Sequence, residues 1–181
     1  MAQYISRCLS RCYNRAALTG ERMNLLADKI RLGIVGAGSF TRGRTLPNFR
    51  KLSDEVEIVA VANRSVASAS AIARDFEIPE ALDDWRRLVE RDDLDAVFIG
   101  APPYIHLDVA SAAMEAGKDV LSQTRMSRTL DEARQMVAKE KETGRKGALV
   151  RPSRFVPGDV TSSTSSIAAT SATCGRRGTT A

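Results

Sequence analysis

The chain has 181 residues, 43% of them hydrophobic and 27% charged, enough for one domain with a sizeable core. Aromatic residues make up only 5%, too few for a base-stacking nucleic-acid platform, and no apolar run reaches the about 18 residues that would cross a membrane. The net charge of +5 lies in the two ends, because residues 23–160 balance at 21 basic and 21 acidic side chains, so the basicity predicts no nucleic-acid partner.

The first stretch, MAQYISRCLSRCYNRAALTGER (1–22), is rich in Arg, Ser and Ala and nearly free of acid. It reads as an organelle transit peptide or as a start assigned ahead of Met23, and either way as a disordered extension. Cys8, Cys12 and Cys174 also fall in the ends. The body therefore carries neither a disulfide framework nor a zinc pattern, and a reducing, cytoplasmic setting is expected.

Residues 23–160 are expected to form one domain. IRLGIVGAG is an apolar run ended by glycines, and its Gly36-Ala37-Gly38-Ser39-Phe40-Thr41 stands where a first strand should turn into a first helix. Gly36 suits the tight turn. Gly38, without a side chain, lets a pyrophosphate approach the backbone, with the free N–H groups of the helix start facing it. The third position of this G-x-G-x-x-[GA] pattern is Thr41, bulkier than the Gly or Ala usual there, which loosens the match. A glycine-rich turn without a ligand is the alternative.

EVEIVAVANR is the second strand. Where a carboxylate often meets the ribose hydroxyls of NAD, the chain reads Ala62-Asn63-Arg64-Ser65. Asn63 can still bond a ribose hydroxyl, no acid repels a 2′-phosphate, and Arg64 can pair with one, so NADP is expected over NAD. A solvated Arg64 with loose selectivity is the alternative.

Ser65 should begin a helix through SVASASAIARDF, and DDWRRLVERDD a short one with carboxylates at its start. LDAVFIGAPP is a third strand, stopped by Pro102 and Pro103. His106, the only histidine, either lines the nicotinamide end of a site or bonds nearby backbone at a helix start. Gly117 is the expected residue just past the end of HLDVASAAMEAG. DVLS is a fourth strand, followed by Gln123-Thr124-Arg125. Thr129 and Glu132 have capping-box spacing for a helix to about Gly144, and ALVRPSRF is a fifth strand or extended segment.

Continuous apolar strands separated by helices predict a parallel sheet covered on both faces, the doubly wound α/β class. From Thr161 the chain changes character: eleven of its last 21 residues are Ser or Thr, with one branched aliphatic, and a disordered tail is expected over 161–181.

Over about residues 30–158 the chain resembles the Gfo/Idh/MocA oxidoreductases, named for glucose–fructose oxidoreductase, inositol dehydrogenase and a rhizopine catabolism protein. The resemblance rests on GIVGAGSF, the VAVANRS strand end, the block DDWRRLVERDDLDAVFIGAPPYIHLDVASAAMEAGKDVL and the helix TLDEARQMV. It implies an N-terminal Rossmann domain that binds NAD or NADP, followed in the family by an α+β domain that holds most of the substrate site and favours oligomers. Such proteins oxidise or reduce a hydroxyl or carbonyl of a sugar or polyol. Carried over residue by residue, Gly36 and Gly38 would contact the pyrophosphate, with Ser39 and Phe40 in the adjoining loop. Asn63 and Arg64 would face the adenosine ribose, and Ala101, Pro102 and His106 would line the crevice near the nicotinamide.

Two departures follow. The family commonly carries Glu-Lys-Pro after the fourth strand, and its lysine assists proton transfer; here Gln123-Thr124-Arg125 match it. Thr124 does not titrate usefully near neutral pH, and Arg125, permanently cationic, can bind an anion or polarise a carbonyl but is a poor base. Arg125 and His106 are the remaining catalytic candidates. The second departure is the Ser/Thr-rich tail where the family chain continues. Out-of-frame translation would produce its Thr-Ser-Ser repeat, and a natural disordered tail is the competing account. The functions expected are an NAD(P)-dependent oxidoreductase, or its nucleotide-binding half, and alternatively a non-catalytic dinucleotide-binding module or fragment. The partners expected are the dinucleotide, an unspecified small substrate and a possible second copy of the chain, with no metal.

Overall fold

Strands that are apolar on both faces need cover on both faces, and the fold supplies it. The computed structural model describes residues 29–150. The expectations for 1–22, for Met23, for the 151–155 half of the last strand and for the 161–181 tail lie outside the described residues. Six strands, β1 (Ile30–Val35), β2 (Val56–Ala62), β3 (Glu80–Leu82), β4 (Ala96–Ile99), β5 (Asp119–Gln123) and β6 (Gly147–Val150), form one sheet in the order β3-β2-β1-β4-β5-β6. Every pairing is parallel. This is the doubly wound Rossmann order, and its reversal falls between β1 and β4, where their carboxyl ends leave a crevice.

Alternate side chains of each strand serve opposite faces. Ile34, Val61, Phe98 and Leu121 enter one core with Leu46, Phe49 and Ile72, while Val35, Ala62, Val97 and Val120 enter the other with Leu88, Val109 and Met136. The first face is covered by α1 (Leu46–Arg50) and α2 (Val66–Phe76). The second is covered by α3 (Trp85–Val89), α4 (His106–Glu115) and α5 (Leu130–Thr143). All four residues of β4 are buried, and the Phe98 ring meets Phe49 edge-on at 5.5 Å.

Three helix starts follow from their caps. The side chains of Ser65, Asp84 and Thr129 accept hydrogen bonds from the N–H groups of Ser68, Arg86 and Glu132. In the capping box of α5 the Glu132 carboxylate reaches back to the backbone before the helix, and it also accepts from the Arg128 N–H (2.8 Å) and guanidinium. Gly117 takes positive φ past the end of α4, as expected, and Gly144 does the same at the end of α5.

Three elements are not among the sequence expectations, one of them a 3-10 turn over Pro103–Ile105 just before α4. β3 is a three-residue strand on the edge of the sheet, paired only to β2. The helix after the glycine loop runs from Ser39 to Arg50 but widens into a π turn over Thr41–Thr45. Pro47, one residue into α1, has no N–H to continue a regular ladder. Among the described residues no helix is long and apolar enough to cross a membrane.

Candidate functional site

The carboxyl ends of β1, β2 and β4 surround a crevice of about 800 Å³. Eight of the sequence-derived positions line it: Gly36, Gly38, Ser39, Phe40, Asn63, Arg64, Ala101 and Pro102. Gly36 has φ +83° and donates its N–H to Ala62 O at 2.9 Å. A Cβ there would stand 2.5 Å from both N and Cα of Ala101, so the glycine lets the first loop lie directly against the β4 loop. A Cβ on Gly38 would meet nothing within 4 Å, and Gly38 and Ser39 are both exposed to the crevice. The helix begins there, its first N–H groups without intrahelical partners, and its dipole favours an anion.

Thr41, the bulky third position, is accommodated beneath the loop. Its side chain is buried, its hydroxyl donates to Gln123 Oε1 at 3.3 Å, and it fits because Gly100 has no Cβ to overlap it. The substitution of Thr for Gly or Ala thus ties the glycine loop to the end of β5 without filling the crevice.

On the β2 side, Asn63 is half-buried and donates its N–H to Leu82 O at 3.0 Å. Arg64 is exposed, and among the described residues it has no ion-pair partner. Two further lining residues are Asp83, from the turn after β3, and Trp85, the first residue of α3. Sequence reasoning missed them because β3 itself is too short to carry a strand pattern. The Trp85 ring is covered by the Arg86 guanidinium at 4.5 Å. The opposite wall is Ala101 and Pro102, with exposed Tyr104 at its rim.

His106 is not on that wall but behind it. It is 1% exposed, and its Nε2 lies 2.7 Å from Ala101 O. Its Nδ1 lies 3.1 Å from Ser122 Oγ and 3.1 Å from Met126 O. The imidazole therefore pins the crevice wall to the end of β5 and to the loop beyond it. Thr124 and Arg125 are exposed, and neither lines the crevice. The Thr124 hydroxyl donates to Val150 O at 2.6 Å. At the end of β5, then, Ser122 is bonded toward His106, Gln123 toward Thr41 and Thr124 toward β6. This arrangement holds loops in place.

The shifted carboxylates lie elsewhere. Hydrogen bonds from Arg91 hold Asp93 below its ordinary value, and those from Arg128 do the same for Glu132. No cluster of metal-ligating side chains occurs among the described residues.

The family model described as the Gfo/Idh/MocA "Oxidoreductase family, NAD-binding Rossmann fold" matches residues 30–150. A dTDP-3,4-didehydro-2,6-dideoxy-alpha-D-glucose 3-reductase of Saccharopolyspora spinosa is 38% identical over 108 residues, 60% of this chain and 32% of that protein. A 1,5-anhydro-D-fructose reductase of Ensifer adhaerens is 31% identical over 114 residues, 63% of this chain and 34% of that protein. A 3-ketoreductase from Actinomadura kijaniata solved with NADP superposes with a TM-score of 0.61 at 29% identity, over 65% of this chain and 37% of the other. The WlbA dehydrogenase from Bordetella pertussis, solved with NADH and UDP-GlcNAcA, shares the fold with a TM-score of 0.68 at 20% identity, over 73% and 40%. The chain spans about a third of the length of the curated relatives it matches. With the parallel sheet, the open Gly38 and the match across 30–150 together, the chain belongs to the Gfo/Idh/MocA oxidoreductases, and this segment is their NAD-binding Rossmann domain.

Proposed function

We propose that the crevice takes NADP in preference to NAD, and that the chain acts as the cofactor-holding part of an oxidoreductase working on a carbonyl or hydroxyl of a sugar-like substrate. The observation that carries this reading is Arg64, exposed in the crevice beside Asn63 with no carboxylate at the end of β2. When bound, the dinucleotide supplies or accepts the hydride. The protein's own residues bind and orient. Gly38 leaves room at the helix start for the pyrophosphate, Asn63 bonds a ribose hydroxyl and Arg64 pairs with the 2′-phosphate. Ala101 and Pro102 form the wall at the nicotinamide end, and His106 holds the Ala101 carbonyl in place. The reductase activities of the Saccharopolyspora and Ensifer relatives support the choice of a carbonyl substrate.

Fluorescence titration of the full chain with NADPH and NADH tests the reading. NADPH should bind more tightly, and Arg64→Gln should weaken NADPH about tenfold while leaving NADH unchanged. Equal affinities in the unsubstituted chain would overturn it. A second reading, a dinucleotide-binding module without turnover, is favoured by the engaged groups at the end of β5. Tight NADPH binding with no oxidation by any sugar ketone or aldehyde would select it.

A further inference from the structure

A second cleft, of about 670 Å³, adjoins the crevice and shares Ala37, Ser39, Asn63 and Ser68 with it. Its remaining lining includes Arg42, from the π turn, and Asp75, from α2, which form an ion pair. Both side chains are well exposed, at 55% and 39%. We infer that Arg42 is a second ligand for the 2′-phosphate of NADP, and that Asp75 competes with that phosphate for it. The inference rests on the reading of the crevice as an NADP site.

The geometry supports it in three ways. Asn63 lines both clefts, so a ribose bonded to it would stand at their junction, between Arg64, which lines the crevice, and Arg42, which lines the second cleft. An exposed Arg–carboxylate pair contributes little, whereas a guanidinium facing a phosphate forms a charge-assisted, often bidentate pair. The phosphate also arrives tethered to the rest of the cofactor, so its effective concentration beside Arg42 is high. Arg42 is therefore free to change partners, and Asp75 sets what the exchange costs. NAD has no 2′-phosphate and leaves the pair intact. A simple surface clamp between the π turn and α2 is the competing account, and it would affect both cofactors alike.

The test titrates the full chain with NADPH and NADH after Asp75→Asn, Arg42→Gln, Arg42→Lys and the double substitution. Asp75→Asn should tighten NADPH about threefold to tenfold and leave NADH unchanged. Arg42→Gln should weaken NADPH about tenfold, again sparing NADH, and Arg42→Lys should fall between, since it keeps the charge but loses the fork. In the Arg42→Gln background, Asp75→Asn should no longer tighten NADPH. Melting curves establish that each variant is folded, and Arg42→Lys keeps the test open if Arg42→Gln is not. Equal shifts for both cofactors, or no shift for either, would overturn the inference while Arg64→Gln stays selective for NADPH. Failure of the unsubstituted chain to bind or prefer NADPH would overturn the reading of the crevice as well.

Discussion

Gly36 and Gly38 stand two residues apart and are glycines for different reasons. At Gly36 a methyl group would collide with the Ala101 backbone at 2.5 Å, on a residue whose φ of +83° already resists side chains. Gly36→Ala should therefore destabilise the domain by about 3 kcal/mol or more, read from denaturant unfolding. At Gly38 a methyl group meets no protein atom within 4 Å. Gly38→Ala should leave the unfolding midpoint nearly unchanged but weaken dinucleotide binding at least about tenfold, because the methyl occupies the pyrophosphate's approach. The spacing of the two glycines was legible in the sequence. The division of labour was not, since it depends on Ala101, which is 65 residues further along the chain and touches only one of them.

At the scale of the element, α2 ends on Glu77 rather than glycine, with φ +55° in the left-handed region. Glu77→Gly should raise stability by about 1 kcal/mol, measurable as a higher melting temperature. Its ion pair with Arg50, 3.3 Å long and 87% exposed on the Glu77 side, contributes too little to offset that gain. Helix starts were readable because a cap is a local bargain between one side chain and the next turn, as at Ser65, Asp84 and Thr129. β3 was not readable, because Glu80-Ala81-Leu82 is extended only through its pairing with β2. The π turn was equally hidden, since Thr41 is held from a distance by Gln123 and the space left at Gly100.

At the scale of the whole molecule, Arg31 at the start of β1 clasps Asp95 just before β4, through the Arg31 N–H (2.8 Å) and the guanidinium (2.9 Å). Partial burial pushes the Asp95 carboxyl up, but the hydrogen bonds and charge of Arg31 outweigh it and hold the group below the ordinary 3.8. A carboxyl depressed in the folded state stabilises fully above its unfolded value and loses that contribution as pH falls through the folded one. Arg31→Met should therefore cost up to about 1 kcal/mol at neutral pH after solvent screening. The gap to the unsubstituted chain should close as pH falls below about 3.8, in denaturant unfolding followed across pH. The sequence by itself determined the parallel sheet, the covered faces and the glycine turn, because hydrophobic period, strand length and caps are properties of neighbours in the chain. It also marked Asn63 and Arg64 as crevice residues, since they directly follow an apolar strand. Only the tertiary structure decided that His106 stands behind the wall and that Thr41 reaches Gln123. It alone brought Arg42 to Asp75, in a cleft that Asn63 also lines. Each of these depends on segments that follow different strands packing together, and the order in which strands pair is a free-energy balance over the whole domain that no local pattern contains.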